Sequence, residues 1–216
     1  IEDSGSTGMT IIGGTNNDLG ITTKSLAVIN LSDLPMWAQL VFFFVVLDFV
    51  QWFTHLLLHK FSFLWKFHKV HHSVKEMGFA AHLRYHWMEN IFYKPLKTFA
   101  VMILGGFEPE QAYIVHFTAI TIGHFNHANI KITWGIFKYL FNNPVMHLYH
   151  HAYTLPKERF GVNFGISLSL WDYLFKTNYI PEDSGSIKLG FKGDDQFPKS
   201  FLKQQLLGGI KNNTNN

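Results

Sequence analysis

No cysteine occurs in the 216 residues. That absence removes disulfides, iron–sulfur clusters, thiolate-ligated haem and cysteine nucleophiles, while leaving the redox compartment open. Charge is also scarce: Asp, Glu, Lys and Arg supply 15% of the chain, against roughly 25% in a typical soluble protein. The net charge of +3 is small and its Lys and Arg residues are scattered. Nucleic acid is therefore not an expected partner, whereas an anionic membrane surface is compatible. A Gly-rich nucleotide loop, a solenoid repeat and a secretory signal pattern are all missing.

Aromatic residues are plentiful, at 17% with 22 Phe and 6 Trp, and the mean hydropathy is slightly positive at +0.06. Such a balance suits one hydrophobic body resting partly in lipid. Residues 1–33 form a polar lead-in rich in Gly, Ser, Thr, Asn and Asp. From Leu34 to Leu58 runs an apolar stretch broken only by Asp48 and His55, long enough to cross a bilayer at about 20 residues per span. Two shorter apolar stretches follow, separated at Gly105-Gly106 and Glu108-Pro109, and read as a helical hairpin in the membrane. The tail of residues 181–216 is polar, and its end is expected to be poorly ordered. The expected fold is thus all-α and integral to the membrane. Lys60, Lys66, Lys69, Lys75 and Arg84 place the following polar segment in the cytoplasm by the positive-inside bias. A cytoplasmic N-terminus would then need another span upstream, so a longer parent chain is expected.

The histidines carry the chemistry. There are 13, and they lie between His55 and His151. His55 and His59 stand four apart at the end of the first apolar run, on one helical face. His68, His71 and His72 form an HxxHH cluster, and His147, His150 and His151 form another. His82 and His86 lie between these groups, as do His124 and His127. One such pair is unremarkable, because a lone His is usually packed or solvated. The joint pattern is different: each imidazole nitrogen buried without a partner costs on the order of a kcal/mol or more, and metal ligation removes that cost. Without Cys, and with too many histidines for one structural zinc, the set fits two metals. Imidazole suits iron, zinc, copper and nickel alike.

These stretches resemble a known family. LDFVQWFTHLLLH, FLWKFHKVHHS, LRYHWME, FNHANI, NPVMHLYHH and NFGISLSLWDYLF occur in the order found in the sterol desaturase branch of the fatty acid hydroxylase superfamily. The resemblance runs from about Leu34 to Tyr179, some two-thirds of the chain, and marks residues 34–180 as the domain. It implies two iron ions, with zinc as a substitute, dioxygen as co-substrate, a lipid substrate and a separate electron-donor protein. Carried over by motif, the metal ligands are His55, His59, His68, His71, His72, His127, His147, His150 and His151, with His86 as a tenth. His124 is not required by the match, His82 is either an outer partner of the site or a surface residue, and His116 belongs to packing or a substrate channel. The sequence departs from the family at Trp87 for a common Pro, Leu148 for Arg, Ala152 for Ser and Lys176 for Gly.

Imidazoles that bind metal usually donate their other N–H to a carboxylate or carbonyl. Asp48, Glu89 and Asp172 are the expected orienting carboxylates, with Asn129 and Asn163 as further polar candidates. The expected activity is hydroxylation or desaturation of an unactivated C–H in a sterol, fatty acyl or related lipid. The rivals are a membrane metal-binding or metal-transport protein without oxygenase activity, and a haem-based electron carrier. Transport predicts ligands spread along the spans, whereas these histidines gather at helix ends. Haem needs only a pair of axial ligands.

Overall fold

A computed structural model describes residues 22–156, 159–181 and 187–207. Most of the polar lead-in and the final residues of the tail lie outside them. The regular structure among the described residues is helical, with two isolated β-bridges, Phe141 with Leu168 and Ala152 with Leu189.

The long apolar run folds as α1 (Met36–Lys60), entered directly from Pro35. It is the one helix among the described residues long and apolar enough to cross a membrane, with a mean hydropathy of 1.9 over its best window. Phe61 is extended and ends it, and α2 (Ser62–His72) begins at the next residue. That single break folds α2 back on the end of α1, so that His55 Nε2 lies 3.0 Å from His68 Nε2.

The two shorter apolar stretches form α3 (Lys94–Gly105) and α4 (Pro109–Asn126). Gly106 ends α3 in the left-handed conformation at φ 68°, where a Cβ is disfavoured. Glu108 and Gln111 then make a capping box around Pro109 at the start of α4, which satisfies free N–H groups at the helix end. Both helices pack on α1. Phe107 in the turn stacks on Phe43 with ring centroids 4.4 Å apart, and Leu47, Val101, Met102, Ala112 and Val115 complete this core. The expected helical pair is therefore present.

Glu89–Tyr93 forms a π-helical turn leading into α3, a widening often found at functional sites. Residues 135–139 make a short 3-10 turn with no buried side chain. Helix α5 (Pro144–His150) starts at Asn143, whose side chain accepts from the Met146 amide at 3.0 Å. Helix α6 (Leu170–Leu174) follows an irregular loop, and α7 (Phe201–Leu207) lies near the end of the chain. Residues 187–207, placed in the tail by composition, pack back on the histidine-rich half. Tyr153 donates its amide to Lys188 O, Arg84 donates to Gln204 Oε1, and Gln205 Oε1 accepts from the Trp87 amide.

One departure from the family pattern now has a structural meaning. Lys176 sits at φ 58°, in the region where a non-glycine residue costs about 1–2 kcal/mol. Its neighbours need that turn: Thr177 returns both its amide and its hydroxyl to Asp172. Lys176→Gly is expected to raise stability by about 1 kcal/mol, read as a higher thermal midpoint in detergent.

Candidate dimetal site

Three helices and one helix end deliver the histidines to a common centre. The end of α1 gives His55 and His59, α2 gives His68, His71 and His72, and α5 with its C-cap gives His147, His150 and His151. His127 arrives as the C-cap of α4. The rings sort into two groups, each with nitrogens within 4.8 Å of one another: His55, His59, His68, His72 and His150 in one, and His71, His127, His147 and His151 in the other. All are buried.

The sorting follows from helical geometry. Successive residues on a helix point about 100° apart, so adjacent histidines face different centres. His71 and His72 part company this way, as do His150 and His151.

The groups also fit metal by chemistry and spacing. Facing Nε2 atoms lie 3.0 Å apart for His55 and His68, 3.2 Å for His71 and His127, and 2.9 Å for His127 and His147. Two nitrogens at right angles about one metal, each at roughly 2.1 Å, are separated by about 3 Å. Several buried nitrogens, among them His59 Nε2, His72 Nε2 and His150 Nε2, have no hydrogen-bond partner among the described residues. Burial, reinforced by neighbouring rings, holds His71, His72, His147 and His151 well below the usual imidazole pKa. Burial likewise lowers His150 to about 3 and His127 to about 4. The rings are thus neutral near pH 7, which is the ligating form.

Hydrogen bonds on the outer side aim the rings inward. His55 Nδ1 donates to Phe164 O at 2.8 Å, His150 Nδ1 to Val162 O at 2.7 Å and His127 Nδ1 to Gly123 O at 2.6 Å. His71 Nδ1 pairs with Arg84 O, and His68 Nδ1 with Glu89 Oε2 at 3.1 Å. Only Glu89, of the carboxylates expected to orient the rings, touches one of them directly. Asp48 and Asp172 act one step further out. Asp48 accepts from the Ser167 and Leu168 amides and the Trp171 indole, while Asp172 accepts from the Phe164 and Gly165 amides, the Trp52 indole and Thr177. Together they pin the 162–169 loop to α1, and that loop's carbonyls hold His55 and His150. Burial raises the Asp172 pKa, and the four donors oppose the shift.

The remaining candidates divide. His86, expected as a tenth ligand, is brought to neither group: its Nδ1 accepts from the Met88 amide and its ring packs on Phe67. His82 is buried beside Gly123, at 2.9 Å from His124 Nδ1 and with its ring 4.8 Å from that of His127. Asn129 is exposed. Asn163, at φ 52°, is buried and ties Met146 O to Tyr179. Sequence reasoning passed over Asn126 and Asn142, which donate to the Ile166 and Gly165 carbonyls of the same loop. It also passed over Asn143, although an Asn directly before Pro is a helix-start signal.

From the histidines a cavity of about 630 Å³ runs between α1, α3 and α4. His55, His68, His71 and His82 close one end, and Phe44, Met102 and Tyr113 line the other; His116 lies along its wall.

The sequence model of the fatty acid hydroxylase family matches residues 40–177. The chain belongs to that family. Ornithine lipid hydroxylase OlsE of Rhizobium tropici is 31% identical to this family member over 170 residues, covering 79% of the chain and 50% of the relative. Alkylglycerol monooxygenase of Homo sapiens is 28% identical over 142 residues, covering 62% of the chain and 29% of the relative. The Danio rerio alkylglycerol monooxygenase is also 28% identical, over 147 residues, covering 64% of the chain and 30% of the relative. The chain therefore spans half the length of the first and under a third of the others. No solved structure matches it significantly.

Asp172→Asn turns an amide N–H₂ toward one of the donors that now meet a carboxylate. The expected cost is about 2–3 kcal/mol, with loss of metal retention because the 162–169 loop is released. Thermal unfolding and metal mass spectrometry on the same preparation check both effects.

Proposed function

We propose that this chain is a membrane-embedded, dioxygen-dependent oxidoreductase that hydroxylates or desaturates a lipid at a two-iron centre. The observation that carries this reading is the meeting of two buried histidine groups with the end of an apolar cavity. A metal-transport chain needs no such chamber, and its ligands would not collect at one end. The family match and the names of the relatives support lipid as the substrate class.

Irons bound there would supply the activation of dioxygen that an unactivated C–H requires. His55, His59, His68, His72 and His150 would hold one ion, and His71, His127, His147 and His151 the other. The protein's own contribution is placement. The carbonyls of Phe164, Val162, Gly123 and Arg84 fix the ring orientations, and Glu89 accepts the outer N–H of His68. Trp65 packs on His59 and His72, and Phe191 packs on Trp65, which shields that side from water. The cavity holds the target carbon at the histidine end. Outward-facing apolar side chains on α3 and α4, including Leu96, Phe99, Ile114 and Phe117, suit a hairpin set in lipid, through which a substrate would enter. The basic residues near the histidines favour a cytoplasmic orientation by the positive-inside bias, which would let a separate protein donate electrons.

Protein from iron-supplemented cells is expected to carry about two irons per chain. His150→Ala should lower occupancy at the five-histidine group and His147→Ala at the four-histidine group, each leaving about one iron per chain. Tightly held copper with no iron in the parent would overturn the mechanism, whereas zinc near two per chain would preserve the geometry and move the question to the native metal.

A further inference from the structure

Most of the cavity wall is apolar. Its polar lining, besides the histidines, includes Asp48, Gln51, Asn90, Tyr93 and Lys94. Lys94, at the start of α3, is the cation among them. Its ammonium lies 3.1 Å from the centroid of the Tyr85 ring and 2.8 Å from Asn90 Oδ1. Tyr85 in turn stacks on His71, with centroids 4.9 Å apart and planes at 6°. Tyr85 is thus shared between the lysine and a member of the four-histidine group.

No ion pair among the described residues includes Lys94. Glu89 acts on it through space and makes no contact with it; its Oε2 is engaged by His68. The next lysine along α3, Lys97, feels Asp48, whose oxygens are taken by two amides and the Trp171 indole. His116, on the facing helix, lies within electrostatic reach of both lysines. A positive charge beside an apolar chamber, with no carboxylate in direct contact with it among the described residues, is costly unless a ligand supplies that contact.

We propose that Lys94 binds an anionic oxygen group, a phosphate or carboxylate, on the headgroup of the lipid substrate. The alkyl chain then runs between α3 and α4 toward Phe44 and Met102. The reverse orientation would set a terminal methyl against the ammonium and bury the headgroup among hydrocarbon side chains. On the oxygenase reading above, on which this assignment of the oxidised position rests, the carbons facing the histidines are those next to the headgroup.

The test uses the full chain with the metal it retains in a neutral sugar detergent, titrated with dodecyl phosphate and with dodecanol and followed by native mass spectrometry. Dodecyl phosphate is expected to bind about tenfold tighter, the size of one charge-assisted hydrogen bond. Lys94→Met should erase the preference and leave dodecanol binding unchanged, while Lys94→Arg should keep it. Lys94→Gln, which removes the charge but can still donate to Asn90, supplies the same comparison if Lys94→Met loses iron. Equal binding of the two amphiphiles by the parent chain, or a preference that survives both neutral variants, overturns the proposal. Inorganic phosphate should not displace dodecyl phosphate at equal concentration; displacement would mark a free-phosphate site and overturn the lipid assignment. Binding is read without turnover, so failure here leaves the iron-dependent reading intact, and absence of iron leaves the Lys94 result intact.

Discussion

The structure depends on taking a crowd of imidazoles out of water together. Each ring that enters the centre gives up hydration on both nitrogens, and no single residue returns it. For His55, His71, His127 and His150 the outer nitrogen is satisfied by a backbone carbonyl, which restricts where the chain can run. The inner nitrogen is left facing other inner nitrogens, an arrangement that is unfavourable for the polypeptide alone and favourable once a cation sits between them. Much of the remaining architecture follows: the break at Phe61, the early end of α4 at His127, and the Asn143-Pro144 start of α5 all serve to set ring positions.

The 162–169 loop joins this constraint to the apolar half of the molecule. Asp48 belongs to α1 and Asp172 to α6, yet both grip the same short segment from opposite sides. Ser167 and Ile166 on that loop also line the cavity. A single irregular stretch therefore touches the ring-orienting carbonyls, the aspartates and the chamber wall. The apolar core and the ring orientations are thus joined by covalent continuity through one loop.

Much of this was legible before any coordinates. The apolar runs, the Gly-Gly break and the HxxxH and HxxHH spacings specify α1, the α3–α4 pair and the histidines that share a helical face because periodicity and punctuation are local properties. His86 was expected from its motif context, while the chain around it turns the ring toward Phe67 and away from both groups. Asp48 and Asp172 were expected to orient the rings, but Asp48 meets amides and an indole some 120 residues away and Asp172 meets the Trp52 indole, contacts that no local spacing reveals. The carbonyls that hold His55, His71, His127 and His150 leave no trace in side-chain identity. Lys94 was equally hidden: in sequence it is one basic residue before a proline, and only the fold brings it to Tyr85.

The alternation of adjacent histidines between the two groups has an evolutionary corollary. Within residues 68–72 and 147–151, a substitution removes one donor, but an insertion or deletion rotates every later donor by about 100° and misassigns both centres together. These two short stretches should vary in composition around their histidines and yet never in length. The loop at 128–142, which carries no member of either group, is free to change length, so divergence within this architecture should be recorded there as gaps and in the two helices as replacements alone.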